Sequence, residues 1–196
     1  MAGRPRVYLA GPEVFLPDAA AMARRKCALA ARIGLEGVFP ADAAAGLSPG
    51  ASPGRAQRAR AIFAANEALI RSCDGLIANL TPFRGASADA GTVYELGFMR
   101  ALGRPVAGYS NVAADYAERV AGLRRRGSAA GDADRPDMAV EDFGLADNLM
   151  IAAAIEDCGG VLVRTAAPAG QEMTDLAGFE ACLGQIARLI GRRPGG

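Results

Sequence analysis

The chain has 196 residues, with 22 Lys and Arg against 21 Asp and Glu and no histidine. That length suits one α/β domain over residues 1–196 with a substantial core. The balanced charge gives no footprint for nucleic acid or an acidic membrane surface. The missing histidine excludes Ser-His and Cys-His catalysis and every His-based metal site. Cys27, Cys73, Cys158 and Cys182 are scattered without a C-x-x-C, so no metal site is expected and they read as small core residues in a reducing cytoplasm. Met1-Ala-Gly-Arg lacks the apolar core of a signal peptide, and no apolar run is long enough to span a bilayer, so we expect a cytosolic protein with no membrane partner.

In chain order, residues 6–10 (RVYLA) are a β-rich apolar run ended by the Gly11-Pro12 turn. Residues 18–33 form an Ala-rich amphipathic helix, with Arg24, Arg25, Lys26 and Arg32 on one side and Gly34 closing it. Residues 37–40 are a short strand, and residues 41–55, rich in Gly, Ser and Pro, are a loop suited to a lid. A helix over 58–72 leads to a strand at 75–80, buried on both faces. A Gly- and Ser-containing loop (83–89), a helix beginning near Gly91-Thr92 and a strand at 105–109 follow. The spacing then predicts helices over 115–126 and 147–155, a polar Gly-containing segment over 127–136, a strand at 160–164 and a helix over 175–190 capped from Thr174. Five strands alternating with helices make an α/β, doubly wound, five-stranded parallel sheet in three layers, of flavodoxin-like type.

The stretch from Cys73 to Tyr109 organises the rest. Strand, loop, helix, strand is a βαβ unit, and its loop lies where parallel sheets place their ligands. Asp74, Asp89 and Glu95 are expected to cluster there. Each also has a plain structural reading: Asp74 as a strand-entry polar residue, Asp89 as a turn residue, and Glu95 as the partner of Thr92 in a capping box. The functional reading makes Glu95 a carboxylate in the helix's first turn, kept ionised by the helix dipole and facing an electrophile. With no histidine, a carboxylate is the best remaining nucleophile, and carboxylates attack sugar anomeric carbons. The loop is not a phosphate cradle: it lacks G-x-x-x-x-G-K-[ST], and Asp89 would repel a phosphate that Arg84 alone could offset.

YLAGPEVF at 8–15, CDGLIANLTPFRGASADAGTVYELGF at 73–98 and EDFGLADNLMI at 141–151 together resemble the nucleoside 2-deoxyribosyltransferase family. The block D-x-G-T-x-x-E-x-G at 89–97 is the most specific part. The resemblance implies a flavodoxin-like fold and exchange of the base of a 2′-deoxyribonucleoside through a 2-deoxyribosyl intermediate on a glutamate, without a cofactor. It implies Glu95 as nucleophile, Tyr8 as the residue orienting it, and Asp89 as a contact to the 5′-hydroxyl. Asn148 would complete that contact from a neighbouring subunit, which makes the active unit a homodimer or larger. Gly11 and Gly91 fall within the matching motifs and are expected to line the substrate site. Phe15 and Phe83 are expected to sandwich the base.

One position departs from the family pattern. Where better-known members place an aspartate to protonate the base, this chain has Asn66, which can hold a base edge but cannot be a general acid near neutral pH. Asp42 is the alternative acid. The rival readings are an N-glycoside hydrolase of deoxynucleosides or nucleoside 5′-monophosphates, and a non-catalytic nucleoside-sensing module in which Glu95 only caps its helix. Asp89 argues for an unphosphorylated 5′ end.

Overall fold

The described part of the chain, in a computed structural model, is residues 3–40, 54–125 and 138–192. The apolar runs pair as β1 (Arg6–Ala10), β2 (Glu36–Val38), β3 (Gly75–Asn79), β4 (Val106–Ser110) and β5 (Leu162–Arg164). They form one parallel sheet in the order β2-β1-β3-β4-β5. That is the flavodoxin-like order, and its direction reverses between β1 and β3. A crevice therefore opens at the carboxyl ends of these two strands, beyond Ala10 and Asn79.

Alternation along the strands sorts the core into two layers. Val7 and Leu9 of β1, with Ile77, Ala107 and Tyr109, pack under α1 (Ala19–Arg32) and α6 (Ala177–Gly191). Tyr8 and Ala10 face the other way, with Leu76, Ala78 and Val106, toward α2 (Arg55–Arg71), α3 (Ala90–Ala101) and α5 (Leu149–Glu156). α4 (Tyr116–Arg125) follows β4 and is anchored by Val120. α6 approaches the sheet closely because residue 178 is glycine: a Cβ there would lie 2.7 Å from the Tyr109 ring.

The elements match the expectations in kind, and their ends shift for local reasons. β2 stops before Pro40, whose nitrogen cannot donate to a ladder. A 3₁₀ turn, Pro12–Phe15, follows β1 and was not foreseen. α6 is not capped from Thr174, whose hydroxyl donates to the Gln171 carbonyl; the Asp175 carboxylate accepts instead from the Ala177 N–H, at 2.9 Å. Lys26 is not on a solvated face of α1 but buried, 1% exposed. Cys73 and Cys182 are core residues as expected, while Cys27 and Cys158 are half-buried. No described helix is long and apolar enough to cross a membrane. The segments at 41–53 and 126–137, with Asp42, lie outside the described residues.

Candidate active site

The crevice holds a cleft of about 410 Å³ lined by Gly11, Phe15, Asn66, Asp89, Gly91 and Glu95, with Val14, Pro40, Ile62 and Thr92 completing its walls. Six residues singled out from the sequence thus meet at one place. Each arrives by a different element: Gly11 and Phe15 from the turn after β1, Asn66 from α2, Asp89 as the N-cap of α3, and Gly91 and Glu95 from α3 itself. Gly11 is required by close approach, since a Cβ would lie 1.9 Å from Glu13 Oε2 and 2.9 Å from the Asn79 Cβ.

Glu95 is one of the two carboxylates that line the cleft. Tyr8, fully buried on the interior strand β1, donates its hydroxyl to Glu95 Oε1 at 2.6 Å. Oε2 has no hydrogen bond among the described residues. Burial raises the Glu95 carboxyl to about 7, against which the Tyr8 hydrogen bond acts to lower it and the nearby Asp89 to raise it further. Burial and the adjacent carboxylate also push Tyr8 well above the ordinary phenol range, so it stays a donor. Two expectations are corrected here. Glu95 lies in the second turn of α3, not the first, and near neutrality burial outweighs anything that would hold it fully ionised. Nor does Thr92 begin a capping box. The cap is Asp89, whose Oδ2 accepts from the Thr92 N–H at 2.9 Å and from its hydroxyl at 3.0 Å, leaving Glu95 to meet Tyr8.

Asp74 does not join this cluster. It precedes β3, at the amino end of the sheet, where its carboxylate accepts from the Arg6 N–H at 2.7 Å. A strand of five residues, roughly 17 Å long, separates it from the cleft. Phe15 and Phe83 do not form a sandwich for a base either. Their rings stack on each other, centroids 5.4 Å apart and 9° from parallel, whereas an inserted ring needs about 7 Å. The Arg84 guanidinium covers the pair, 5.1 Å from the Phe15 centroid and 4.6 Å from that of Phe83. Phe15 alone of the three lines the cleft. Asn148 does not reach it within the chain: it is the N-cap of α5, accepting from the Met150 N–H at 3.0 Å and donating to Glu141 Oε1 at 2.7 Å.

Residues 7–150 match the nucleoside 2-deoxyribosyltransferase family. The chain belongs to that family. An uncharacterized protein of Schizosaccharomyces pombe is 35% identical over 162 residues, covering 82% of this chain and 71% of that protein. The 2-deoxyribosyltransferase of Leishmania mexicana superposes with a TM-score of 0.59 at 27% identity, over 97% of this chain and 99% of that one. A conserved protein of Enterococcus faecalis shares the fold, with a TM-score of 0.53 at 16% identity over 93% and 99% of the two chains.

Two buried polar systems flank the cleft, and sequence reasoning found neither. On the α1/α6 face, Glu13 Oε1 accepts from Lys26 Nζ, from Asn79 Nδ2 at 2.9 Å and from the Tyr109 hydroxyl at 3.0 Å. Lys26 Nζ also lies 5.0 Å from the Phe179 ring centroid and 5.5 Å from that of Tyr109. Glutamate in the GPEVF turn was the only signal available, since helical spacing puts Lys26 in an ordinary run of basic residues. The second system pairs Arg119 with Asp147 beneath the 83–89 loop, and in sequence Asp147 reads only as the first residue of a helix.

Proposed function

We propose that the protein exchanges the base of a 2′-deoxyribonucleoside through a covalent 2-deoxyribosyl ester on Glu95, with retention at the anomeric carbon. The observation that carries this reading is the half-buried Glu95 carboxylate: one oxygen is held by Tyr8, and the other has no hydrogen bond among the described residues, at a cleft of nucleoside size. Ionised Glu95 attacks C1′. The C1′–N bond breaks, its electron pair leaves with the base nitrogen, and a C1′–O bond to Glu95 forms. The nitrogen of a second base then displaces Glu95 from the opposite face, so two inversions give retention. The oxocarbenium-like transition state is accessible because a 2-deoxyribosyl carbon lacks the electron-withdrawing 2′-hydroxyl.

Asp89 is the contact to the 5′-hydroxyl. Its Oδ2 is occupied by the cap, and Oδ1 is unbonded among the described residues. Asn66, whose Oδ1 is buried without a partner among the described residues, holds the base edge. In an oligomer, Asn148 reaches the neighbouring site and completes the 5′ contact.

The test is a chromatographic assay with deoxyinosine or thymidine plus free adenine, run beside deoxyadenylate without acceptor. The expected result is deoxyadenosine, with at least a thousandfold loss of turnover in Glu95→Ala. Free base without exchanged nucleoside would make the protein a hydrolase, and release from deoxyadenylate alone would overturn the role of Asp89. Nucleoside binding that survives in Glu95→Ala, with no turnover in either protein, would identify a sensor.

A further inference from the structure

The loop before α3 is suspended from a buried ion pair contributed by distant parts of the chain. Asp147 is 2% exposed, and its carboxylate collects donors from two segments. The Ser87 hydroxyl and the Asn148 N–H (2.8 Å) donate to Oδ1, and the Ala88 N–H (2.8 Å) donates to Oδ2. Arg119 Nη2 lies 3.4 Å from that same Oδ2. The guanidinium spends its other bonds on backbone carbonyls: Nε to Ala86 at 2.8 Å, Nη1 to Ala114 at 2.7 Å and Nη2 to Ala146 at 2.6 Å. Ala86, Ser87 and Ala88 are the three residues immediately before Asp89. Asn148 is the residue immediately after Asp147. One ion pair therefore fixes the backbone that leads directly into each of the two groups that the proposed function assigns to the 5′-hydroxyl.

We infer that Arg119 and Asp147 are positioning residues for the 5′ end of the substrate. They touch no substrate atom and act by setting the loop that aims Asp89 and the cap that presents Asn148. The choice of residues suits the task. A planar fork can hold three carbonyls from separate segments at once, and lysine in its place would supply a charge but not that geometry. A carboxylate can accept three N–H and O–H donors together, which an amide oxygen cannot. Only the location of these bonds, at the 5′ end of the cleft and not at Glu95, makes the pair specific to one part of the ligand.

This inference rests on the transferase reading with Asp89 at the 5′-hydroxyl, and a matched pair of substrates separates the two. The kinetics of a 2′-deoxynucleoside and its 2′,5′-dideoxy counterpart, which lacks the 5′-hydroxyl, are compared in the full-length wild type and in Asp147→Asn, Arg119→Lys and Ser87→Ala. The wild type is expected to favour the 5′-hydroxyl substrate. Asp147→Asn and Arg119→Lys should lose about tenfold in kcat/KM on that substrate, mostly through KM, and little on the dideoxy compound. Ser87→Ala, which removes one donor at the edge of the network, should show a smaller loss with the same selectivity, and it keeps the test open should Asp147→Asn fail to fold. Equal losses on both substrates would overturn the positioning role while leaving the transferase reading intact. A wild type indifferent to the 5′-hydroxyl would overturn the role of Asp89, and this inference with it. If neither nucleoside turns over, the transferase reading falls, and the same ratio measured by equilibrium binding decides the positioning role.

Discussion

Two glutamates lie at the carboxyl end of the same sheet, on opposite faces, Glu13 buried and Glu95 half-buried, and each accepts a hydrogen bond from a strand tyrosine. On the α1/α6 face, Glu13 is paired with Lys26 and takes two further donors from Asn79 and Tyr109. On the α2/α3 face, Glu95 has Tyr8 alone and no cation among the described residues. A buried carboxylate given a counter-charge is inert and structural. One given a single neutral donor is held in place yet under-stabilised, and its proton affinity rises toward neutrality. The same side chain thus serves as a fastener on one face and, in the proposed mechanism, as the nucleophile on the other, according to what surrounds it.

The widest separation between the two faces comes from removing each carboxylate's function. Glu95→Gln should abolish base exchange and leave the fold intact, measured by chromatography and circular dichroism. Lys26→Met should do the reverse. It strands Glu13 uncompensated in the core, at about 3–5 kcal/mol, which lowers the melting temperature by about 10 °C. Adding Glu13→Gln to Lys26→Met should recover much of that loss, because the pair then disappears together.

The tyrosines sharpen the contrast. Tyr8→Phe should lower kcat/KM on the order of tenfold to a hundredfold. It should also move the pH profile. Activity requires ionised Glu95, so kcat/KM in the wild type falls as pH drops through about 7. Losing the hydroxyl that favours the carboxylate shifts that limb to higher pH. Tyr109→Phe, its counterpart, should cost about 1 kcal/mol of stability and leave the pH profile where it was.

The smallest effect is one of linkage. Unfolded, Glu95 titrates near the ordinary glutamate value of 4.5; folded, it titrates at about 7. The folded state therefore binds more protons between these values, and the stability this group contributes is present at low pH and lost as pH rises through about 7. Glu95→Gln should melt a few degrees above the wild type at pH 8 and level with it at pH 4, by thermal denaturation. A stabilisation that persists at pH 4 would break this account of Glu95.

Much of the site was legible without coordinates. The 89–97 block carries Asp89, Gly91 and Glu95 at fixed helical spacing, and YLAGPEVF carries Tyr8, Gly11 and Phe15 off the neighbouring strand. Apolar runs bounded by Gly and Pro located the strands, most plainly β1, β3 and β4, because a strand buried on both faces has no other composition available to it. The misreadings came from residues whose meaning depends on partners far along the chain. Asp74 belongs to the same βαβ unit as Glu95, which suggests one cluster, although the length of β3 separates it from the cleft. Phe15 and Phe83 were assigned to a base because stacking tendency says nothing about which face is already covered, and each covers the other.

By itself, then, the amino-acid sequence determined the order and kind of the elements, the end of the sheet where the cleft opens, and the acidic residues that line it. These are local matters of hydrophobic period, turn chemistry and motif spacing. Only the tertiary structure decided which charges are buried and with whom: Lys26 with Glu13 across 13 residues, Tyr8 with Glu95 across 87, and Asp147 with Ala88 across 59. Desolvation and ion pairing depend on three-dimensional neighbours, so the same Glu, Asp or Lys acquires its role only after the sheet has brought its partners together.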